Sequence, residues 1–134
     1  MDSSQGPYEG EYDNSGPEKA LDNDLSTSTH TDNNFVVKHW WKVQFDRRVF
    51  VDKVRVVNRQ ICCQGRANNA DIITSVAIGN RFIETVCANL GILGVEKTLK
   101  CQQTADELKI VQPAGEAVMH LGEVYIYGNL CNDV

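Results

Sequence analysis

The stretch VVNRQICCQGR, residues 56–66, concentrates the chemistry of this sequence. Arg59 and Arg66 stand seven positions apart and enclose the adjacent cysteines Cys62 and Cys63. An arginine presents a planar fork of N–H donors that can grip two neighbouring oxygens at once, so two such forks suit a ligand rich in paired oxygens. Adjacent cysteines can join only by closing a strained small ring, because a disulfide prefers Cα atoms about 4.4–6.8 Å apart while chain neighbours lie only about 3.8 Å apart. Core packing needs no such device. Between the two forks the joined pair would be a rigid, uncharged plate of sulfur.

Other chemistries find little support. The histidines His30, His39 and His120 do not fall at zinc-ligand spacing around the cysteines, and no C-x-x-C pair occurs. There is no G-x-S-x-G elbow, no H-E-x-x-H and no glycine-rich phosphate loop. Cys62 or Cys63 beside His30 would make a nucleophile pair, but in an oxidising compartment adjacent cysteines are more natural partners for each other. No pair of acids stands out from the solvated background, so the sequence reads as a non-enzyme. Lys and Arg total 13 against 18 Asp and Glu, a formal net charge of −5, which argues against nucleic acid as a partner.

Cysteine usage speaks to compartment. Cys87 and Cys101 flank ANLGILGVEKTLK, and a bridge there closes a loop of about 15 residues, worth about 3 kcal/mol in the chain-entropy account. That suits a secreted protein; a reduced, cytosolic chain is the alternative. Cys131 is left over, free or paired with another chain, which leaves room for an oligomer. No apolar run approaches the roughly 20 residues of a membrane span, and MDSSQGPYEGEY lacks the pattern of a signal peptide, so the chain reads as a mature fragment.

The elements that must position these residues follow one period. WWKVQF alternates Trp41, Val43 and Phe45 against Trp40, Lys42 and Gln44, and RVFVDKVRVVN continues with Val49, Val51, Val54 and Val56. DIITSVAIGN, RFIETV, KTLKC, ELKIVQ and EVYIYG are likewise short and rich in β-branched or aromatic residues. About seven strands result. With only GPEKALDNDL able to hold a helical turn, the expected fold is all-β, an antiparallel β-sandwich or jelly roll formed by residues 1–134 as one domain.

Taken in order, ALDND, STHT, HWWKVQF, VRVVNR, the Cys–Cys pair, GRANNADIITSVAIGN and LGEVYIYG resemble the F-type lectins, or fucolectins. These are fucose-binding proteins whose fold is related to the discoidin-like C domains of coagulation factors. The likeness runs from about Ser3 to Gly128, and the family's further strand ahead of SSQG is expected to be missing here. The family's sugar motif is a histidine followed by two spaced basic residues, and the matching positions are His30, Arg59 and Arg66. The spacing from His30 to Arg59 exceeds the family's slightly, and TDNNFVVKH accommodates the difference. His39 matches the spacing much less well and reads as a rim residue.

The resemblance implies a division of labour. The arginine forks hold neighbouring sugar hydroxyls, an imidazole N–H of His30 reaches the axial 4-hydroxyl that sets fucose apart, and a Cys62–Cys63 disulfide packs against the ring. Ile61 departs from the family, which commonly places an acidic or polar residue there. The resemblance also implies a structural calcium, held by backbone oxygens of Lys19 and Asp24, the side chains of Asp22 and Glu123, and the loop residues Thr27 and Gly122; hard oxygen donors suit that ion. The family often bridges this region by a disulfide, at positions that are Ser28 and Gly122 here. The expected protein is a secreted, calcium-stabilised lectin for terminal L-fucose on glycans, touching membranes only through those glycans. The alternative is a discoidin-like adhesion module that engages a protein or a phospholipid surface through apolar loop tips.

Overall fold

A computed structural model describes Leu21 and residues 40–58, 67–113 and 121–131. Five strands form one antiparallel sheet: β1 (Trp40–Val57), β2 (Asp71–Ile78), β3 (Arg81–Asn89), β4 (Glu96–Val111) and β5 (Glu123–Leu130), in the order β3-β2-β4-β1-β5. Leu21 lies in a 3₁₀ turn within GPEKALDNDL.

The expected count of seven is corrected to five among the described residues, because two pairs of expected strands run on. WWKVQF continues into RVFVDKVRVV as the 18 residues of β1, and KTLKC continues into ELKIV within the 16 residues of β4. The register between β1 and β4 shifts at Gln44/Val49 and again at Val51/Lys53, where Gln102 adopts a positive φ of 55°. Bulges of this kind bend a strand and let it serve two packed layers. The first half of β1 pairs with the second half of β4, to which β2 and then β3 add. The second half of β1 pairs with the first half of β4 and with β5. Continuous hydrogen bonding is thus folded into the two layers of a sandwich.

The disulfide marks the fold-over. β2 lies between β3 and β4 and pairs with β4 only at residues 107–111, yet Cys87 of β3 and Cys101 of β4 are bonded with their Cα atoms 4.8 Å apart. Only a sheet closing on itself brings these positions together.

Alternation carries the core between the layers. Trp41 and Val43 point inward, while Trp40 and Lys42 on the other face stay partly exposed. Inward positions then change parity, from Val51 to Val54 and Val56, where Asp52 is the extra residue of β1 relative to β5. A period-two strand can move its apolar set from odd to even positions only by such an addition. Ile72, Leu90, Leu108, Ile110 and Leu121 complete a centre from which water is excluded, each stabilising by about 1.5–3 kcal/mol.

Candidate functional site

Residues 59–66 lie in sequence between β1 and the turn that enters β2, and the structure describes the residues on either side of them, the two feet. Asn58 forms the first foot and is buried. Its amide donates to the carbonyl of Val95 at 2.8 Å, and its side-chain Nδ2 donates to the carbonyl of Gly94 at 2.7 Å. Ala67 begins the second foot, also buried, in a turn that Ala70 closes by donating to the Ala67 carbonyl at 3.3 Å. Asn69 takes the left-handed conformation there, φ 63°, which Asn tolerates better than most residues.

The same connection between β3 and β4 holds both feet. Asn69 donates from its amide to the Gly91 carbonyl at 2.7 Å, Leu90 donates to the Ala70 carbonyl at 2.8 Å, and Leu93 donates to Oδ1 of Asn68 at 3.0 Å. Asn89 adds donors to the carbonyl of Asn69 and to Oδ1 of Asp71. Lys97 Nζ donates to the Leu90 carbonyl at 2.9 Å, which fixes the connection from below. Residues 89–95 are therefore a clamp on Asn58 and on residues 68–70, the described neighbours of residues 59–66.

Electrostatics stiffen the strands under the first foot. Arg55 donates in a fork to both carboxylate oxygens of Glu96 at 3.0 and 2.8 Å and lies 5.0 Å from the Tyr125 ring centroid. Those hydrogen bonds hold the Glu96 carboxyl below the usual glutamate range and raise the Arg55 guanidinium above its own.

The start of β5 meets the same place. Gly122 donates from its amide to the carbonyl of Val57 at 2.9 Å, and a Cβ on Gly122 would come within 2.5 Å of the Asn58 carbonyl oxygen. Only glycine permits that approach. Glu123 follows with a side chain only 1% exposed. A carboxylate buried to that degree needs compensating charge or hydrogen bonds, and a hard cation is one compensating partner. Gly122 and Glu123, the two expected calcium positions that the structure describes, lie beside Asn58.

The remaining expectations, His30, Arg59, Arg66, Cys62 and Cys63 for sugar and Lys19, Asp22, Asp24 and Thr27 for calcium, lie outside the described residues, as do His39, Ile61 and Ser28. Sequence reasoning did not single out the clamp. Its signal was available in NLGILGV, where Gly91 and Gly94 take positive φ around Ile92 and Leu93. Nor did it find apolar spikes, although Ile92 is 78% and Val95 64% exposed on that clamp.

These elements form an all-β scaffold in which residues 89–95 tie the end of β1 to the start of β2. Residues 2–117 match the F5/8 type C domain, and the chain belongs to that family. The fold is similar to a fucolectin from the serum of striped bass, Morone saxatilis, at 23% identity and a TM-score of 0.80, covering 97% of this chain and 46% of that one. The chain therefore spans just under half of the bass lectin. It is also similar to the Streptococcus pneumoniae fucose-binding module SpX-3, at 18% identity and TM-score 0.76, covering 94% of this chain and 92% of the module. A Clostridium perfringens module solved with GalNAc-β-1,3-galactose matches at 16% identity and TM-score 0.73, covering 93% and 92%. No curated protein sequence matches. At these identities the likeness is one of fold.

Proposed function

We propose that this domain is a secreted, non-enzymatic lectin that binds terminal L-fucose on glycans. The observation that supports it most is the clamp: Asn58, one residue before Arg59, and residues 68–70, just past Arg66, are all fastened to residues 89–95. Relatives of this fold that carry fucose-binding names accord with the reading.

The roles follow from the donors. Arg59 and Arg66 each present a fork to vicinal hydroxyls, His30 donates an imidazole N–H to the axial hydroxyl, and Cys62 with Cys63 forms the apolar floor beneath the ring and its methyl group. Glu123 and Gly122, with Asp22, Asp24, Lys19 and Thr27, would hold a calcium ion through hard oxygen donors. The Cys87–Cys101 bridge accords with an oxidising compartment.

Calorimetric titration with L-fucose, with calcium and then with chelator, tests the reading. Saturable heat for the wild-type chain and none for Arg59→Ala is expected, and equal heat from both would overturn it.

Ile92 and Val95 favour a second reading, the adhesion module, because two exposed aliphatic side chains on a rigid clamp can enter an apolar surface. Flotation with phosphatidylserine vesicles separates the two: this reading requires that vesicle binding be lost in Ile92→Ser with Val95→Ser and be indifferent to fucose.

A further inference from the structure

The outer face of the β3-β2-β4-β1 layer carries two opposed lysines, each held by an acid. Lys42 of β1 and Lys109 of β4 are directly opposed partners, and like charges placed so are destabilising. Beside them Trp40 pairs with Val111, and the four side chains line a depression of about 240 Å³. Trp40 faces away from the core that Trp41 fills and stays partly exposed, with Lys42 Nζ 5.6 Å from its ring centroid. The chain as a whole is acidic, with a formal net charge of −5, which makes two adjacent ammonium groups stand out.

Two acids restrain the lysines from one side. Lys42 is 3.9 Å from Glu107, and Lys109 is bonded to Glu84. Both acids sit at a single level of the sheet, because Glu107 pairs with Ser75 and Ser75 pairs with Glu84. The opposite side of the lysine pair is the level of Trp40, Val111 and Asp71, where Asp71 adjoins the turn that forms the loop's second foot. The lysines are thereby positioned from behind, with the aromatic floor in front.

We propose that this depression is an accessory subsite for an acidic sugar residue, Lys42 and Lys109 bridging its sulfate or carboxylate and Trp40 with Val111 supporting its ring. The inference rests on the reading of the domain as a lectin, and extends its ligand from fucose alone to a glycan that also carries an anionic residue. Two ammonium groups converging on one anionic group make charge-assisted hydrogen bonds with the N–H donors that Glu107 and Glu84 leave over.

The test uses the full chain and its tryptophan emission, which reports this face because Trp41 is fully buried and Trp40 is not. Galactose 6-sulfate and N-acetylneuraminic acid are the probes, with neutral galactose and inorganic sulfate as controls. A saturable change with at least one acidic sugar and none with galactose is expected. Lys42→Gln combined with Lys109→Gln should weaken that response about tenfold or more while leaving L-fucose affinity and the melting temperature intact. Arg59→Ala should lose fucose and keep the acidic response. A response that survives the double glutamine variant, a response equal to that of galactose, or a response to inorganic sulfate only would overturn the subsite. Intact fucose binding with no acidic response refutes this inference alone, and the converse refutes the fucose reading alone.

Discussion

The amide of Gly122 donates to the carbonyl of Val57 across 2.9 Å, and no side chain longer than hydrogen fits at that glycine, because a Cβ would meet the Asn58 carbonyl oxygen at 2.5 Å. The residue before the buried carboxylate of Glu123 is therefore packed on the residue before Arg59. The start of β5 and the end of β1 are thus held together at Gly122 and Asn58.

Calcium removal follows from that contact. An ion that binds only the native state stabilises it by mass action, about 2.7 kcal/mol at a hundredfold excess over its dissociation constant. Chelation should lower Tm by about 5 °C or more and weaken L-fucose binding together. Glu123→Gln should behave in the absence of chelator as the wild-type chain does in its presence. Differential scanning calorimetry showing one Tm at all calcium levels would remove the ion from this reading.

Asn58 provides a test without metal. Asn58→Ala removes the bond to Gly94 and leaves that carbonyl without its donor, a cost of about 1–3 kcal/mol. If the clamp positions Arg59, fucose affinity should fall further than in Val49→Ala, which trims the partly buried edge of the core in the middle of β1. Equal affinity in two variants of matched stability would show that the foot does not orient the arginine.

The layer architecture and the 87–101 bridge were legible because both rest on local signals, strict alternation and cysteine spacing. Strand count was not. WWKVQF and RVFVDKVRVV look like two strands because residues 46–48 are exposed and polar, yet hydrogen bonding resumes beyond them at Val49 opposite Ala105. A bulge has no compositional signature apart from the parity change at Asp52, which becomes visible only once β5 supplies a register. The clamp was hidden for a related reason: Asn58, Asn68, Asn69 and Asn89 look like ordinary turn residues until their partners, which are distant in sequence, are known.

The sugar donors carry the next expectation. Arg59→Ala, Arg66→Ala or His30→Ala should each abolish measurable fucose binding with the fold retained, since a charge-assisted bond contributes about 1.5–3 kcal/mol and a shallow monosaccharide site has little beyond that. Circular dichroism verifies the fold and calorimetry the affinity. Damage from His39→Ala instead of His30→Ala would place the histidine of the motif elsewhere.

Acid stability should have a traceable contributor at the far end of the sandwich. Arg48 donates to both oxygens of Asp106 at 3.0 Å, and the amide of Ala77 donates to Oδ2 at 2.7 Å. Hydrogen bonding from Arg48, then from Ala77, holds the Asp106 carboxyl below the usual aspartate range. Because the folded pKa is the lower one, the native state binds fewer protons, and this stabilisation is present above about pH 4 and lost as pH falls through the folded value. Urea unfolding at pH 6 and pH 3 should show a smaller difference in Asp106→Asn than in the wild-type chain; an unchanged difference would assign the acid limb to other groups.

The cysteines separate structure from recognition. Cys87 and Cys101 close a chain interval of 14 residues and tie β3 to a part of β4 that β2 does not reach. Their replacement by serine should cost about 3 kcal/mol, through the unfolded chain, and spare fucose affinity while the protein stays folded. A disulfide between Cys62 and Cys63 would close almost no loop, so Cys62→Ser with Cys63→Ser should leave Tm nearly unchanged and weaken fucose binding by removing the floor under the ring. Mass spectrometry of the unreduced protein should find Cys62 joined to Cys63 and Cys87 joined to Cys101, with Cys131, which forms no disulfide within the described chain, open to alkylation or linked to a second chain. Free thiols at Cys62 and Cys63 in protein from an oxidising compartment, or full affinity in the double serine variant, would show that the sulfur pair is not the sugar's floor and would leave the arginine forks to account for recognition alone.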